Sequence, residues 1–209
     1  LEIDEMWEVC FGSLTVDTNK FPDMRRHVND LKKLGFRVTI WAHPFINEGC
    51  EPWYTTARES GYLVKSQNGS LHTEWWEGGA ALIDFTNPAA AKWFTDRLKK
   101  LMVDTGVDSF KFDAGESSYS PQVAVYADMD DDHPDTYNRA YIKTISEFGS
   151  MIEARTGTRV QDVGFFMRMN DRNTIWSGYA GLDTIIPTLL FMNIIGYPFV
   201  LPDMIGGNA

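Results

Sequence analysis

Short apolar runs alternate with segments of helical periodicity along this chain. The runs are rich in β-branched and aromatic residues, which is typical of strands, and they cover residues 1–7, 36–41, 81–85, 107–112, 163–167, 184–186 and 197–201. Helices are predicted between them over 23–34, from Asn87 to about residue 102, from about 135 to 155, and over 188–195. Such a strand–helix–strand repeat predicts an α/β fold with parallel strands.

Local signals support several of these boundaries. Gly35 is well placed to end the first helix, and Asn87 followed by Pro88 forms an N-cap and a first helical turn. Asn68 and Gly69 separate the apolar stretches 62–64 and 71–73, which predicts a hairpin turn that joins these two stretches.

Polar and charged side chains follow the predicted strands, among them Asp4, Glu5, His43, Asp113, Glu116, Arg168, Asp171 and Asp203. A (β/α)8 TIM barrel places its functional residues on the loops at the carboxyl ends of the strands, and this pattern favours that architecture. An open doubly wound sheet also places ligands there, but it usually carries a glycine-rich phosphate loop, and the sequence has none.

Composition excludes several functions. With 209 residues and 44% hydrophobic residues the chain is large enough for a substantial core. Its net charge of -10 is unsuited to nucleic acid, whose phosphates are bound mainly by Lys and Arg. No stretch approaches the ~18 consecutive apolar residues of a membrane helix. Cys10 and Cys50 lack metal-ligand spacing, and we expect two free thiols rather than a bridge.

Two segments concentrate ionisable groups at strand ends. Lys111, Asp113 and Glu116 follow one strand, and Arg168 and Asp171 follow another. Glycoside hydrolysis uses a pair of carboxyl groups, one ionised and one protonated. Two carboxylates on separate strand ends could supply this pair if their surroundings push their pKa values apart. The alternative is structural, with a salt-bridged strand end in the first segment and a surface Arg–Asp pair in the second.

Six motifs resemble those of glycoside hydrolase family 31, the retaining α-glycosidases, and they follow the same order. They lie at residues 3–7 (IDEMW), 21–35 (FPD and, later, LG), 43–46 (HPFI), 85–88 (FTNP), 112–116 (FDAGE) and 198–207 (PFVLPDMIGG). The resemblance implies a TIM barrel that hydrolyses α-glycosides with retention of configuration. It places Asp113 on the nucleophile and Asp171 on the general acid/base.

The same resemblance implies a substrate-binding set around these two carboxylates. Its members are Asp4, Trp41, Trp76, Lys111, Glu116, Arg155, Arg168 and Asp203. We also expect the positive charge of Lys111, two residues before Asp113, to favour the ionised nucleophile. The chemistry requires no cofactor and no metal, and the acidic run at Asp128, Asp130–Asp132 and Asp135 with His133 is interpreted as a solvated loop.

The segment around the acid/base reads Arg168-Met-Asn-Asp171-Arg172, where the family has W-x-G-D-N. Together with residues 3–7 (IDEMW), 41–46 (WAHPFI), 111–116 (KFDAGE) and 201–208 (LPDMIGGN), this segment is most similar to one branch of the family, and that resemblance implies activity on terminal α-galactosides. The alternatives are an α-glucosidase or α-xylosidase of the same family, or a sugar-binding homologue without catalysis. The family resemblance implies the secretory lumen, the lysosome or the cell exterior, in keeping with the glycosylation sequon at Asn68.

Length bears on the domain organisation. A (β/α)8 barrel typically needs about 250 residues, and the predicted strands account for only part of one. We therefore expect residues 1–209 to form an incomplete central portion of the catalytic domain, with flanking domains and further barrel strands outside it. The sequence leaves the oligomeric state open.

Overall fold

The computed structural model describes residues 1–128 and 135–208. Its strands in chain order are β1 (Glu2–Ile3), β2 (Thr39–Ala42), β3 (Phe45–Asn47), β4 (Lys65–Ser66), β5 (His72–Trp75), β6 (Gly78–Leu82), β7 (Ser109–Phe112), β8 (Ala124–Val125), β9 (Glu153–Ala154), β10 (Phe166–Arg168) and β11 (Val200–Leu201). The α-helices are α1 (Met24–Lys33), α2 (Trp53–Glu59), α3 (Pro88–Thr105), α4 (Thr136–Ile145) and α5 (Ile185–Ile194).

A parallel sheet forms the centre of the described structure. Its strand order is β1-β2-β7-β9-β10-β11, and each neighbouring pair is parallel. This arrangement confirms the predicted α/β barrel fold. Because parallel strands end at the same edge of the sheet, the residues that follow β1, β2, β7, β9, β10 and β11 are brought to one end of the molecule.

The helix boundaries follow from local capping. Asp23 accepts a hydrogen bond from the backbone nitrogen of Arg26 at the start of α1. Asn87 caps α3 in the same way, with Pro88 as its first residue and Gly106 in the left-handed conformation (φ 80°) at its end. Both helices therefore begin where the side chains satisfy backbone N–H groups that the helix itself leaves free.

The turn at Asn68-Gly69 is present, but the predicted hairpin is wrong. The backbone nitrogen of Ser66 bonds the carbonyl of Ser70 across the turn. β4 then pairs with β8, whereas β5 pairs with β6 in the antiparallel sheet β3-β6-β5. A turn signal specifies where the chain reverses, and the pairing of the strands beyond it is decided by tertiary contacts.

Two predicted elements in the last third of the chain are also wrong. The helix expected to continue to residue 155 stops at Ile145, and β9 lies within its predicted range. The strand expected at 184–186 is a 3₁₀ turn leading into α5. A continuous apolar run such as 185–195 does not distinguish a strand from a helix by periodicity. Of the predicted acidic loop, Asp130–Asp132 and His133 lie outside the described residues.

Cys10 and Cys50 form a disulfide, with their Cα atoms 5.6 Å apart, so the expectation of two free thiols is wrong. They are 40 residues apart in sequence, and only the folded chain brings the loop after β1 next to the segment after β3. Within residues 1–128 and 135–208, no helix combines the length and apolar character needed to cross a bilayer.

Candidate active site

A cavity of about 440 Å³, called here the primary cavity, opens at the carboxyl ends of the parallel strands. Its lining includes nine of the ten residues predicted to bind or cleave a sugar: Asp4, Trp41, Trp76, Lys111, Asp113, Arg155, Arg168, Asp171 and Asp203. Glu116 is the exception and contacts the cavity wall from behind. Glu5 also lines it, as do Tyr119, Met204 and Asn208, which sequence reasoning missed.

Asp113 lies at the floor of the primary cavity, directly after β7. Its backbone nitrogen donates to the carbonyl of Ala42 at 2.8 Å, which extends the β2–β7 pairing to the carboxylate itself. Oδ2 accepts from Nε1 of Trp41 at 3.0 Å, and Oδ1 accepts from Nη2 of Arg168 at 2.6 Å. Nε of Arg155 lies 3.3 Å from Oδ1. The carboxylate is thus held from three strands.

The backbone after Asp113 turns through two left-handed residues, Ala114 (φ 53°) and Gly115 (φ 90°). A Cβ on Gly115 would lie 2.3 Å from Cδ1 of Tyr141, so only glycine fits against this ring. The hydroxyl of Tyr141 donates to the backbone carbonyl of Asp113 at 3.1 Å. This close packing fixes the direction in which the Asp113 side chain leaves the strand.

The surroundings of Asp113 favour its ionised form. Burial raises the pKa of this carboxyl, but the charges of Arg168 and Arg155 and the hydrogen bond from Trp41 outweigh burial and hold the pKa below its ordinary value. The sequence prediction assigned this role to Lys111. In the structure, Arg168 and Arg155 contact the carboxylate instead.

Asp171 has the opposite electrostatic environment. Burial raises its pKa, and a hydrogen bond to Asp203 together with the negative charge of that neighbour raises it further. Arg168 and Asp113 act more weakly and in opposite directions. Two carboxyls in such a pair share a proton readily, because the second ionisation would place two negative charges side by side.

Lys111 is buried beside Asp113 on the β7 strand but contacts a different set of acids. Its Nζ lies 3.1 Å from Oδ2 of Asp4, 3.6 Å from Oε2 of Glu2 and 3.9 Å from Oδ1 of Asp203. Burial lowers the pKa of Lys111, as does the charge of Arg168, but the charges of Asp203 and Asp4 leave it above its ordinary value. The ammonium group therefore stays charged.

Arg168 connects Asp113 to two further acids. Besides Asp113 it contacts Asp203 through Nη1, and its Nε lies 3.0 Å from Oε1 of Glu153. Burial, followed by hydrogen bonding and charge from Glu2, raises the pKa of Glu153 to about 8. Glu153 and Glu2 were not predicted as part of the site, and their positions within short strands carry no motif signal.

Arg155 forms the side of the cavity together with an acid and an aromatic ring. Nε donates to Oε1 of Glu116 at 2.7 Å, which places Glu116 behind Arg155. The guanidinium carbon lies 5.0 Å from the ring centre of Trp76, a cation–π contact. Trp76 is 43% exposed and donates to Glu5 at 3.3 Å, so its ring forms a wall open to a ligand.

His43 also follows a strand but does not reach the cavity. Its Nε2 lies 2.9 Å from Oε1 of Glu8, and both side chains are buried. The ring packs at 4.6 Å from the centre of Trp41 and 4.7 Å from that of Trp75. The His43 ring therefore packs in an aromatic layer with Trp41 and Trp75.

Comparison with known proteins places the chain among glycosidase sequences. The chain is 40% identical to the myogenesis-regulating glycosidase of Mus musculus over 212 residues, covering 100% of this chain and 29% of that protein. It is 34% identical to the alpha-xylosidase XylQ of Lactiplantibacillus pentosus, covering 76% and 22% of the two chains. The chain thus spans less than a third of the length of these relatives.

Solved structures share the fold at low sequence identity. A dextranase of Flavobacterium johnsoniae complexed with glucose superposes with a TM-score of 0.82 at 20% identity, covering 98% of this chain and 28% of that one. An alpha-xylosidase from a soil metagenome complexed with xylose gives 0.79 at 24% identity, covering 100% and 32%. The model of the glycosyl hydrolases family 31 TIM-barrel domain matches residues 1–208. The chain therefore belongs to glycoside hydrolase family 31.

Proposed function

We propose that this chain carries the catalytic site of a retaining α-glycosidase that removes terminal non-reducing α-linked sugars, with α-galactosides as substrates. One observation carries the proposal. Asp113 and Asp171 line the same cavity, and their environments move the two pKa values in opposite directions. A nucleophile must be ionised and an acid must hold its proton, and the opposite directions of the two pKa shifts favour these two roles.

The two-step mechanism uses each carboxyl twice. Ionised Asp113 attacks the anomeric carbon while Asp171 delivers its proton to the departing glycosidic oxygen, which leaves a sugar bonded covalently to Asp113. Asp171, now ionised, takes a proton from water, and the resulting nucleophile breaks the sugar–Asp113 bond. Two inversions at the anomeric carbon retain its configuration.

The charges around the primary cavity favour a neutral sugar. Arg168 and Arg155 face Asp113, and Lys111 is surrounded by carboxylates. An anionic group on the sugar would compete with these acids for the same cations. A sulfonated or carboxylated sugar is therefore a poor fit.

The choice of α-galactosides rests on the resemblance of the motifs at Asp4, Lys111 and Asp171 to one branch of the family. Similarity to the alpha-xylosidases of Lactiplantibacillus pentosus and of Emericella nidulans supports α-xylosides as the second candidate. A panel of nitrophenyl α-galactoside, α-glucoside and α-xyloside, with the sulfonated sulfoquinovoside as the charged member, separates these substrates in full-length protein.

Trapping of the intermediate tests the mechanism. A fluorinated galactosyl donor with a good leaving group should form a covalent intermediate that hydrolyses slowly. In the full-length enzyme it should label Asp113, which peptide mass spectrometry detects. Asp113→Asn should abolish both labelling and turnover, whereas Asp30→Asn on the exposed surface of α1 should change neither. Full turnover by Asp113→Asn would overturn the assignment.

The alternative of a sugar-binding homologue without catalysis makes a different prediction. Calorimetry with a galactose-type iminosugar would then give binding, while every glycoside in the panel stays intact. The departures around Asp171 are the reason for this binding measurement, because Arg168 and Arg172 stand where the family has Trp and Asn.

A further inference from the structure

A buried acid and a buried histidine lie behind the primary cavity, and the proposed mechanism uses neither of them. Glu8 lies in the segment after β1, His43 follows β2, and both side chains are almost fully buried. Oε1 of Glu8 lies 2.9 Å from Nε2 of His43. Burial of a carboxylate is costly even when it is hydrogen-bonded, and apolar side chains would fill the same space at lower cost. The pair therefore calls for a role other than packing.

The hydrogen bonds of His43 determine which ring nitrogen carries the proton. Nδ1 accepts from the backbone nitrogen of Phe45 at 3.2 Å. A ring nitrogen that accepts a hydrogen bond carries no proton, so the proton lies on Nε2 and is donated to Glu8. The imidazole is therefore held at two points, one at the start of β3 and one in the segment after β1.

Glu8 is in turn held by the segment that follows it. Its Oε2 accepts from the backbone nitrogens of Gly12 at 3.1 Å and Leu14 at 2.8 Å, and from the hydroxyl of Ser13 at 3.2 Å. Nη2 of Arg97, on α3, donates to the carbonyls of Gly12 and Ser13 at 2.8 Å and 2.5 Å. These bonds connect the segment to α3, so the carboxylate is a fixed anchor for the imidazole.

His43 packs against an aromatic residue that contacts the proposed nucleophile. Its ring centre lies 4.6 Å from that of Trp41, whereas the rings of Phe11 and Trp75 lie farther from Trp41, at 6.0 Å and 6.2 Å. Nε1 of Trp41 donates to Oδ2 of Asp113 at 3.0 Å. Because the N–H bond lies in the plane of the indole, a tilt of the ring would turn this donor away from the carboxylate. The position of the imidazole therefore limits the direction of the bond.

We propose that Glu8 and His43 form a positioning pair that holds the indole N–H of Trp41 on Asp113. Neither member of the pair lines the primary cavity, so both act through Trp41 rather than on the sugar. This inference rests on the proposed function, because it concerns the reactivity of Asp113. It extends that function to two residues behind the site.

Two substitutions break the pair in the full-length enzyme. His43→Phe retains an aromatic ring but removes the donor to Glu8. Glu8→Gln retains the size of the side chain, but its NH2 group must face either Nε2–H of His43 or the backbone N–H groups that Oε2 now accepts from. Each variant should move the acid limb of kcat/KM upward by at least about half a pH unit, because Asp113 loses a hydrogen bond that favours its ionised form.

A third substitution, Trp41→Phe, tests whether the pair acts through the indole. It removes the N–H group itself and should move the acid limb upward on its own. In this background, His43→Phe should cause no further movement of the limb. A shift of the same size in both backgrounds would overturn the proposal, as would an unmoved limb in His43→Phe and Glu8→Gln.

Val28→Ala is the control for a general loss of stability. Val28 is fully buried in α1, and its truncation leaves a cavity that lowers the melting temperature. The acid limb should stay where it is in the wild type. If the limb moved as far in Val28→Ala as in His43→Phe, the shift would reflect stability alone and the proposal would be wrong.

Crystal structures of wild type, His43→Phe and Glu8→Gln separate this inference from the proposed function. In both variants, Nε1 of Trp41 should lie beyond hydrogen-bonding distance of Oδ2 of Asp113. If the wild type cleaves no glycoside, the catalytic proposal fails, but the distance between these two atoms still tests the role of the pair. A distance that is the same in all three proteins would contradict positioning.

Discussion

Arg168 donates a 2.6 Å hydrogen bond from Nη2 to Oδ1 of Asp113, and the two residues stand at the ends of β10 and β7. The charge of Arg168 is the strongest influence that lowers the pKa of Asp113. Arg168 stands where the family motif has Trp, and its charge therefore helps to keep the proposed nucleophile ionised.

Removing that charge should shift the pH dependence of turnover. In Arg168→Met the pKa of Asp113 rises, so the acid limb of kcat/KM should move upward by about one pH unit or more. Breaking the buried pairs should also destabilise the fold by about 3–5 kcal/mol. Arg168→Lys retains a charge without the planar fork, and it should shift the limb less. An unmoved limb in Arg168→Met would show that Arg155 and Trp41 suffice.

Replacing the proposed acid should affect substrates according to their leaving groups. Asp171→Asn should slow hydrolysis of unactivated disaccharides by about 10²–10⁴-fold, with a smaller loss on dinitrophenyl glycosides that depart without a proton. The wild-type rate should fall as the pH rises through the elevated pKa of Asp171, because the acid then loses its proton. The alkaline limb should disappear in the variant, and equal losses on both substrates would contradict this role.

The buried carboxyl of Glu153 should make stability depend on pH. Its folded-state pKa of about 8 lies above the ordinary value of 4.5, so the folded state holds this proton more tightly than the unfolded chain. The associated stability is fully present below about pH 4.5 and is lost as the pH rises toward 8. Between pH 4.5 and pH 8.5, the free energy of unfolding of wild type should therefore fall by at least about 1 kcal/mol more than that of Glu153→Gln. Denaturant melts at the two pH values measure this, and identical pH profiles would refute it.

Gly115 should tolerate no side chain. Gly115→Ala combines a left-handed backbone with a Cβ placed 2.3 Å from Tyr141, so we expect a loss of about 2–4 kcal/mol and displacement of Asp113. Gly35→Ala is the matched control, since Gly35 is also left-handed (φ 91°) but has no atom within 4 Å of its Cβ position. It should lose only about 1–2 kcal/mol. Similar thermal midpoints for the two variants would contradict the packing argument.

The Cys10–Cys50 bridge should contribute about 3–4 kcal/mol, given the 40 residues that separate the two cysteines. The double variant Cys10→Ser, Cys50→Ser should melt at a lower temperature than the oxidised wild type and at nearly the same temperature as the reduced one. A wild-type melting temperature insensitive to reductant would show that the bridge adds nothing.

Local signals predicted much of the fold. The aromatic and β-branched runs located β2 and β7, and capping residues located the start of α3. The helix predicted at 188–195 is present as α5, but its first turn was predicted as a strand because the run is apolar on every face. β9 was missed because two residues are too few to show alternation. The cysteine pair was missed because proximity across 40 residues has no local signature.

The sequence predicted which residues lie in the site better than it predicted which of them contact each other. The motifs identified Asp113 and its neighbours, but pairing depends on which strand ends meet. Lys111 is near Asp113 in sequence, yet it contacts Asp4, whereas Arg168 reaches Asp113 from 55 residues away. Glu153 enters the network because β9 lies between β7 and β10, an order set by the barrel.

The pleat of β7 also limits how this site can change over evolutionary time. Lys111 and Asp113 are two residues apart and face the same side, whereas Phe110 and Phe112 alternate with them. Deletion or insertion of a single residue within β7 would exchange the charged side chains for phenylalanines in the pocket and place the charges in the core. Substrate range is therefore free to diverge through substitutions and through loops of variable length beyond the strands, while indels within the strand are selected against.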